Sequence, residues 1–283
     1  MIDFHVHPVM IAEMIARHPE LERAAREVFY IGNRFQPLET ILLELDVAGL
    51  QRAVLLPVET TRTRGLPIYT NEQIAEVVTM APDRLVGFAS VDPLAPDAPD
   101  RLERAIADYR LRGLKLSPPL QEFYPDDPKV YPLYERVQAL NIPIVMHTGM
   151  SWAPNARLAW GHPMRLEPVL ADFPQLRIVA AHFAWPWSPE VAALALKYPN
   201  LYIDTSALYY DNPDDFIMEL FTQRVSLTMI ERSLRHQVVF GSDYPRVEIK
   251  NMARAVRQTG LTAKTLKMIF HDNAMKLLGE VSQ

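Results

Sequence analysis

Eight short apolar runs, each followed by an amphipathic stretch, recur along this chain, and that repetition restricts the fold more than any single motif. The runs lie at Met1–His7, Arg52–Val58, Leu85–Val91, Gly113–Ser117, Ile142–Thr148, Arg177–His182, Leu201–Thr205 and Gln237–Asp243. They are continuous rather than alternating, as parallel strands covered on both faces require. Between them, residues 71–78, 100–106, 191–196 and 262–278 carry helical periodicity, with Thr70 or Asn71 placed to cap the first. Eight such units point to a closed (β/α)8 TIM barrel, an α/β fold, as a single domain over residues 1–283; a doubly wound open sheet is the alternative that the count disfavours. With 283 residues, 49% of them hydrophobic, the chain has the length and apolar content of such a barrel. The proline-rich stretch Pro93–Pro99 reads as a βα loop. Residues 8–51 exceed a simple connection and are expected to add a lid or flanking helices.

The ends of these runs are polar. The first ends in His5-Val6-His7, the fifth in His147, the sixth in His182 and the eighth in Gly241-Ser242-Asp243. In this architecture catalytic groups gather at the carboxyl ends of the strands. On a regular strand Asp3, His5 and His7 share one face while Phe4 and Val6 take the other, so both imidazoles can grip one ion. A polar group buried unpaired costs on the order of 2–7 kcal/mol. Several such endings in one barrel mouth therefore call for a shared partner, and a divalent cation satisfies them all.

D-x-H-x-H at Asp3–His7, H-T-G at His147–Gly149, the histidine at 182 and G-S-D-Y-P at Gly241–Pro245 together resemble the amidohydrolase superfamily, in particular the amidohydrolase-related branch. That branch holds aminocarboxymuconate-semialdehyde decarboxylase, resorcylate-type decarboxylases and lactonases. The resemblance implies one divalent metal, zinc first and manganese as an alternative, held by His5, His7, His147 and Asp243. It makes His182 a catalytic histidine that does not bind the metal, with Asp243 passing a proton to and from a metal-activated water. Asp3 is expected to orient the ligand histidines from behind. The chain departs from the decarboxylase pattern after the sixth strand, where His182-Phe183-Ala184-Trp185-Pro186-Trp187 replaces small residues. The first expectation is accordingly a metal-dependent hydrolase of a small ester, lactone or amide. A non-oxidative decarboxylase at the same site and a non-catalytic metabolite-binding barrel are the alternatives.

The substrate expected is a small, carboxylated cyclic or aromatic molecule. Trp152, Trp160, Trp185 and Trp187 fall in the loops after strands five and six, and Tyr209 and Tyr210 follow strand seven. Trp152, Trp185 and Trp187 are taken as its walls, and Arg246 and Lys115, with Arg157 and Arg165, as cations for its carboxylate. The net charge of −5 supplies no basic field for nucleic acid or anionic membrane, and the absence of cysteine excludes disulfides and thiolate chemistry. No apolar stretch is long enough to span a bilayer, and the expected compartment is the cytoplasm. A homodimer is compatible with long rim loops but nothing requires one.

Overall fold

A computed structural model describes residues 1–207 and 212–280 of the chain; Tyr209 and Tyr210 lie outside them. The strands are β1 (Ile2–Val6), β2 (Arg52–Leu55), β3 (Leu85–Gly87), β4 (Leu114–Leu116), β5 (Ile144–Met146), β6 (Ile178–Ala180), β7 (Leu201–Asp204) and β8 (Val238–Val239). All pair in parallel with their sequence neighbours, in two runs, β1-β2-β3 and β4 through β8. Two parallel bridges join the runs, Ala89 with Leu114 and Val6 with Tyr244. Hydrogen bonds from Phe4 N to Phe240 O and from His7 N to Tyr244 O, both 2.8 Å, complete the closure. The result is the expected (β/α)8 barrel, and the open sheet is excluded.

Alternation along each strand sorts its residues into two layers. Val54, Val86, Val145, Val179, Tyr202 and Val239 point inward and form the barrel floor with Ile2 and Phe4, closed from below by Ala274 and Leu277 of the helix Asn273–Leu277. Leu114, Leu116, Ile144, Met146 and Ile203 point outward into the larger core beneath the helices. Each such buried aliphatic side chain contributes roughly 1.5–3 kcal/mol through burial. On β4 the inward position, level with Val145, is Lys115. The helix Asn71–Met80 starts as expected at Thr70, whose side chain and that of Gln73 cap each other's backbone N–H.

Strand β1 breaks the alternation. Asp3 pairs with Ala53 but Val6 with Leu55, so β1 holds one residue more than β2 over that interval. This bulge puts Phe4 on the barrel floor, His5 in the site above it and Val6 in the outer core. Phe4 and Val6 thus lie on different faces, contrary to the expectation from a regular strand. Asp3 accepts hydrogen bonds from the N–H of His5 (3.0 Å) and of Ser242 (3.1 Å) through Oδ1. It supports backbone at the bulge rather than an imidazole ring, which corrects its expected role.

The long segment after β1 contains the helices Ala12–Arg17, Glu20–Arg23 and Leu38–Val47, with a π-helical turn at Ala24–Val28. Val28, Phe29 and Ile31 pack with Val9, Met10, Val58 and Ile68, which folds this segment over the ends of β1 and β2. Among the described residues no helix is long and apolar enough to cross a membrane.

Candidate metal centre

At the carboxyl end of β1 both histidines are anchored by one ring nitrogen and offer the other. His5 Nδ1 lies 2.7 Å from Asp204 Oδ2, and His7 Nδ1 lies 2.8 Å from the carbonyl of Leu56. Both partners are acceptors, so each Nδ1 carries the proton and each Nε2 is bare. The two Nε2 atoms stand 3.1 Å apart, and Asp243 Oδ1 is 3.4 Å from the first and 3.6 Å from the second. Donor atoms converging at these distances can share one cation.

His182 and Asp243 reach the same point through unusual backbone. Asp243 has φ +66° and His182 φ +60°, and Phe183 and Ala184 share the left-handed region at +46° and +48°. Such conformations cost of order 1–3 kcal/mol each in residues other than glycine. They turn the chain sharply at the ends of β6 and β8 and point both side chains inward. The loop after β5 is held against this turn by Met150 N to Trp185 O, 2.9 Å, and by Gly149, also left-handed at φ +87°. A Cβ at Gly149 would collide with the carbonyl of Trp185.

His147 is turned differently. Its Nε2 donates to the carbonyl of Met150 (3.0 Å), leaving Nδ1 bare and 3.2 Å from His182 Nε2. Among the described residues, the donor atoms of His5, His182 and Asp243 lie within 4.8 Å of one another, close enough to share an ion. The ligand set expected from the sequence was His5, His7, His147 and Asp243 with His182 beside it, and the bare nitrogens of His147 and His182 meet 3.2 Å apart at this point.

Burial dominates the electrostatics. It holds His5, His7 and His182 well below the usual imidazole range and His147 at about 3, with Lys115 and neighbouring histidines adding to the effect. All four are neutral near pH 7, the form in which imidazole binds metals. Burial likewise pushes Asp243 up, against the pull of Arg246 and Lys115, and Asp3 up to about 7. Asp243 Oδ2 is buried without a hydrogen-bond partner. Neutral imidazoles around a carboxylate with an unsatisfied oxygen fit a divalent cation.

The cavity over the site comprises about 440 Å³, part of it open to solvent. His7, His147, His182 and Asp243 form its base, Val28, Phe29 and Tyr30 one side, and Leu120, Trp152 and Ala153 another. The segment expected to form a lid thus contributes a wall. Arg246 lines the cavity too, its guanidinium 4.5 Å over the ring of Phe29, Nη2 donating to Phe29 O at 2.6 Å and Nε without a hydrogen-bond partner.

Other expected contacts lie elsewhere. Trp185 and Trp187 are not among the lining residues: Trp187 packs on His162 at 4.6 Å, and Trp185 lies under Arg224 at 5.7 Å. Lys115 sits below the cavity, 1% exposed, with Nζ 3.5 Å from His5 Nε2. Burial lowers its pKa, and it faces the imidazoles instead of a substrate. Arg165 is paired with Asp126 at 2.9 Å, and Arg157 lies over Trp160.

Asp204, Ser206 and Phe29 are among the residues of the site that were not expected from the sequence. Asp204 ends the apolar run Leu201-Tyr202-Ile203 as His147 and Asp243 end theirs, so the same rule of polar strand endings finds it. Phe29 lies 23 residues beyond β1 in the segment after it, and no local pattern marks it.

A barrel whose strand ends bring several imidazoles and a buried carboxyl group to one point belongs to the class of barrels able to hold a divalent metal at the mouth. Residues 2–279 match the family described as amidohydrolase, and the chain belongs to that family. The gamma-resorcylate decarboxylase of Polaromonas sp. (strain JS666) is 24% identical over 279 residues, which span 85% of this chain and 83% of that protein. Among solved structures, an uncharacterized TIM-barrel protein from Bordetella bronchiseptica superposes with a TM-score of 0.75 at 24% identity, covering 99% of this chain and 98% of that one. A dihydroxybenzoic acid decarboxylase from Polaromonas sp. JS666, with bound manganese and the inhibitor 2-nitroresorcinol, gives 0.66 at 19% identity, covering 98% and 95%. At these identities the solved structures establish the fold alone.

Proposed function

We propose that this protein is a metal-dependent, non-oxidative decarboxylase of a small aromatic hydroxy acid. The observation that carries the choice is the similarity, along 85% of the chain, to a protein named gamma-resorcylate decarboxylase. The cavity supports it, with apolar walls from Phe29, Leu120 and Trp152 and an arginine at the edge. Hydrolysis, the first expectation from the sequence, would use the same residues, and the relatives support it less.

His5 and His7 through Nε2 and Asp243 through Oδ1 would hold the ion, with the bare nitrogens of His147 and His182 beside them. Imidazole ligands favour zinc, and the Polaromonas structure makes manganese the first alternative. A divalent ion there supplies Lewis acidity toward a substrate oxygen. The chain's own groups do the rest. Arg246 lines the cavity, and its guanidinium is suited to pair with the substrate carboxylate. Phe29 and Trp152 hold a flat ring and exclude water. His182 Nε2 accepts a hydrogen bond from a ring hydroxyl. Asp243 Oδ2, free of hydrogen bonds, is the oxygen from which a proton reaches the ring carbon that bears the carboxylate. The bond to the carboxylate then breaks, its electron pair returns to the ring, and carbon dioxide leaves.

The test is product analysis with metal-loaded protein, using 2,6-dihydroxybenzoate, related hydroxybenzoates and a set of aryl lactones. Carbon dioxide and the matching phenol are expected in equal amounts, with loss of turnover in Asp243→Asn. Acid release from the lactones without carbon dioxide would overturn the proposal in favour of hydrolysis.

A further inference from the structure

Asp204 and Ser206, at the end of β7 and just beyond it, form a hydrogen-bonded junction between two histidines of the site. Asp204 Oδ1 accepts from His182 N at 2.8 Å, Ser206 N at 3.0 Å and Ser206 Oγ at 2.5 Å. Its other oxygen, Oδ2, takes His5 Nδ1 at 2.7 Å. Ser206 Oγ also lies 2.8 Å from His182 Nδ1 and 3.2 Å from His5 Nδ1. Asp204 and Ser206 are fully buried, so each of these groups must find its partner within the protein.

With Asp204 ionised, proton counting at Ser206 leaves one arrangement. A carboxylate only accepts, so the single hydroxyl proton of Ser206 goes to Asp204 Oδ1. The hydroxyl oxygen can then only accept, and His182 Nδ1 must donate to it. His182 is thereby the Nδ1–H tautomer with Nε2 bare; the residue lines the cavity, and its Nε2 lies 3.2 Å from the bare Nδ1 of His147.

We propose that Ser206 is a positioning residue that sets which ring nitrogen of His182 carries the proton, with Asp204 as the shared anchor of His182 and the metal-site residue His5. The inference rests on the decarboxylase reading only for what His182 then does, which is to accept the hydrogen bond of a substrate hydroxyl. The tautomer itself follows from the junction. The two arms of Asp204 are separable: Oδ2 holds His5 without Ser206, whereas His182 Nδ1 has Ser206 Oγ as its hydrogen-bond partner. Removing the hydroxyl should therefore disturb His182 and spare the metal.

The experiment is long-range 1H–15N correlation NMR of the histidine rings in the zinc-loaded full chain, with His182 assigned by its loss in His182→Gln. Wild type is expected to show His182 protonated at Nδ1 and unprotonated at Nε2. In Ser206→Ala the Nε2–H form should appear, zinc content should stay at the wild-type value, and turnover of the aromatic acid should fall at least tenfold at little changed KM. Ser206→Thr, which keeps the hydroxyl, should restore both tautomer and turnover. A wild-type spectrum with the proton on Nε2 overturns the proposal whatever the variants do, as does a Ser206→Ala spectrum identical to wild type. The expected tautomers without turnover of any aromatic acid would uphold the positioning role and count against the decarboxylase reading.

Discussion

Replacing Asp204 with asparagine keeps the side chain's shape and changes one acceptor into a donor, so its effect can be worked out atom by atom. The Oδ1 position receives three donors, from His182 N, Ser206 N and Ser206 Oγ, and the amide oxygen must occupy it. The amide nitrogen then faces His5 Nδ1 across the 2.7 Å now spanned by a charge-assisted hydrogen bond. Two donors cannot face each other there, and His5 must move its proton to Nε2. That is the atom 3.1 Å from His7 Nε2 and 3.4 Å from Asp243 Oδ1, where a metal ligand needs a lone pair. Losing a hydrogen bond to a charged group costs about 1.5–3 kcal/mol. At about 1.4 kcal/mol per decade this weakens metal binding roughly 10- to 150-fold, in line with the roughly 10–100-fold typical of groups that support metal ligands. Zinc titration against a competing chelator at neutral pH measures it, with circular dichroism to establish that the variant is folded. A folded Asp204→Asn protein whose dissociation constant stays within about threefold of wild type would refute the reasoning.

In the metal-free protein, the site should place the optimum of stability just above pH 6.5, roughly the unfolded histidine value. His5, His7, His147 and His182 have folded values below their unfolded ones, so their contribution is present above about 6.5 and is lost as pH falls. Asp3 and Asp243 are raised and act in the opposite sense, losing stability as pH rises toward and through their folded values. The four imidazoles outnumber the two carboxyl groups, so the net direction below about pH 6.5 is a loss of stability as pH falls. Urea midpoints across that range check it, and a flat profile would contradict it. Arg246→Ala should raise KM for the aromatic acid at least about tenfold, the value of one lost charged hydrogen bond, with a smaller effect on kcat in steady-state assays. Gly149→Ala should destabilise the protein by more than about 1 kcal/mol, because the added methyl meets the Trp185 carbonyl at a left-handed residue; thermal unfolding reads this directly. Stripping the metal should lower stability by about 2.7 kcal/mol relative to protein held at a hundredfold excess over the dissociation constant, as calorimetry would show.

The barrel was legible because its strands are buried on both faces, and continuous apolar runs separated by amphipathic stretches state that directly. His5, His7, His147, His182 and Asp243 were legible because a polar residue ending such a run has few reasons to be there. Asp204 obeys the same rule but is followed by Thr205 and Ser206, so its ending blends into an ordinary polar turn. The face of Phe4 was misread because a bulge changes the alternation, and a bulge depends on the register of β1 against β2, which no local pattern records. Trp185 and Trp187 have the right position in sequence for a pocket wall. A loop's spacing does not determine where its side chains point, and theirs turn toward Arg224 and His162. Phe29 reaches the cavity only through the packing of a long segment against β1 and β2, a tertiary fact.

The central claim is that imidazoles from several strand ends and Asp243 form one metal centre. Elemental analysis of the purified chain after zinc or manganese reconstitution, beside His5→Ala and Ser206→Ala, tests it most directly. The account predicts one equivalent in wild type, its loss in His5→Ala and its retention in Ser206→Ala. No metal in reconstituted wild type, or a full equivalent in His5→Ala, would contradict it.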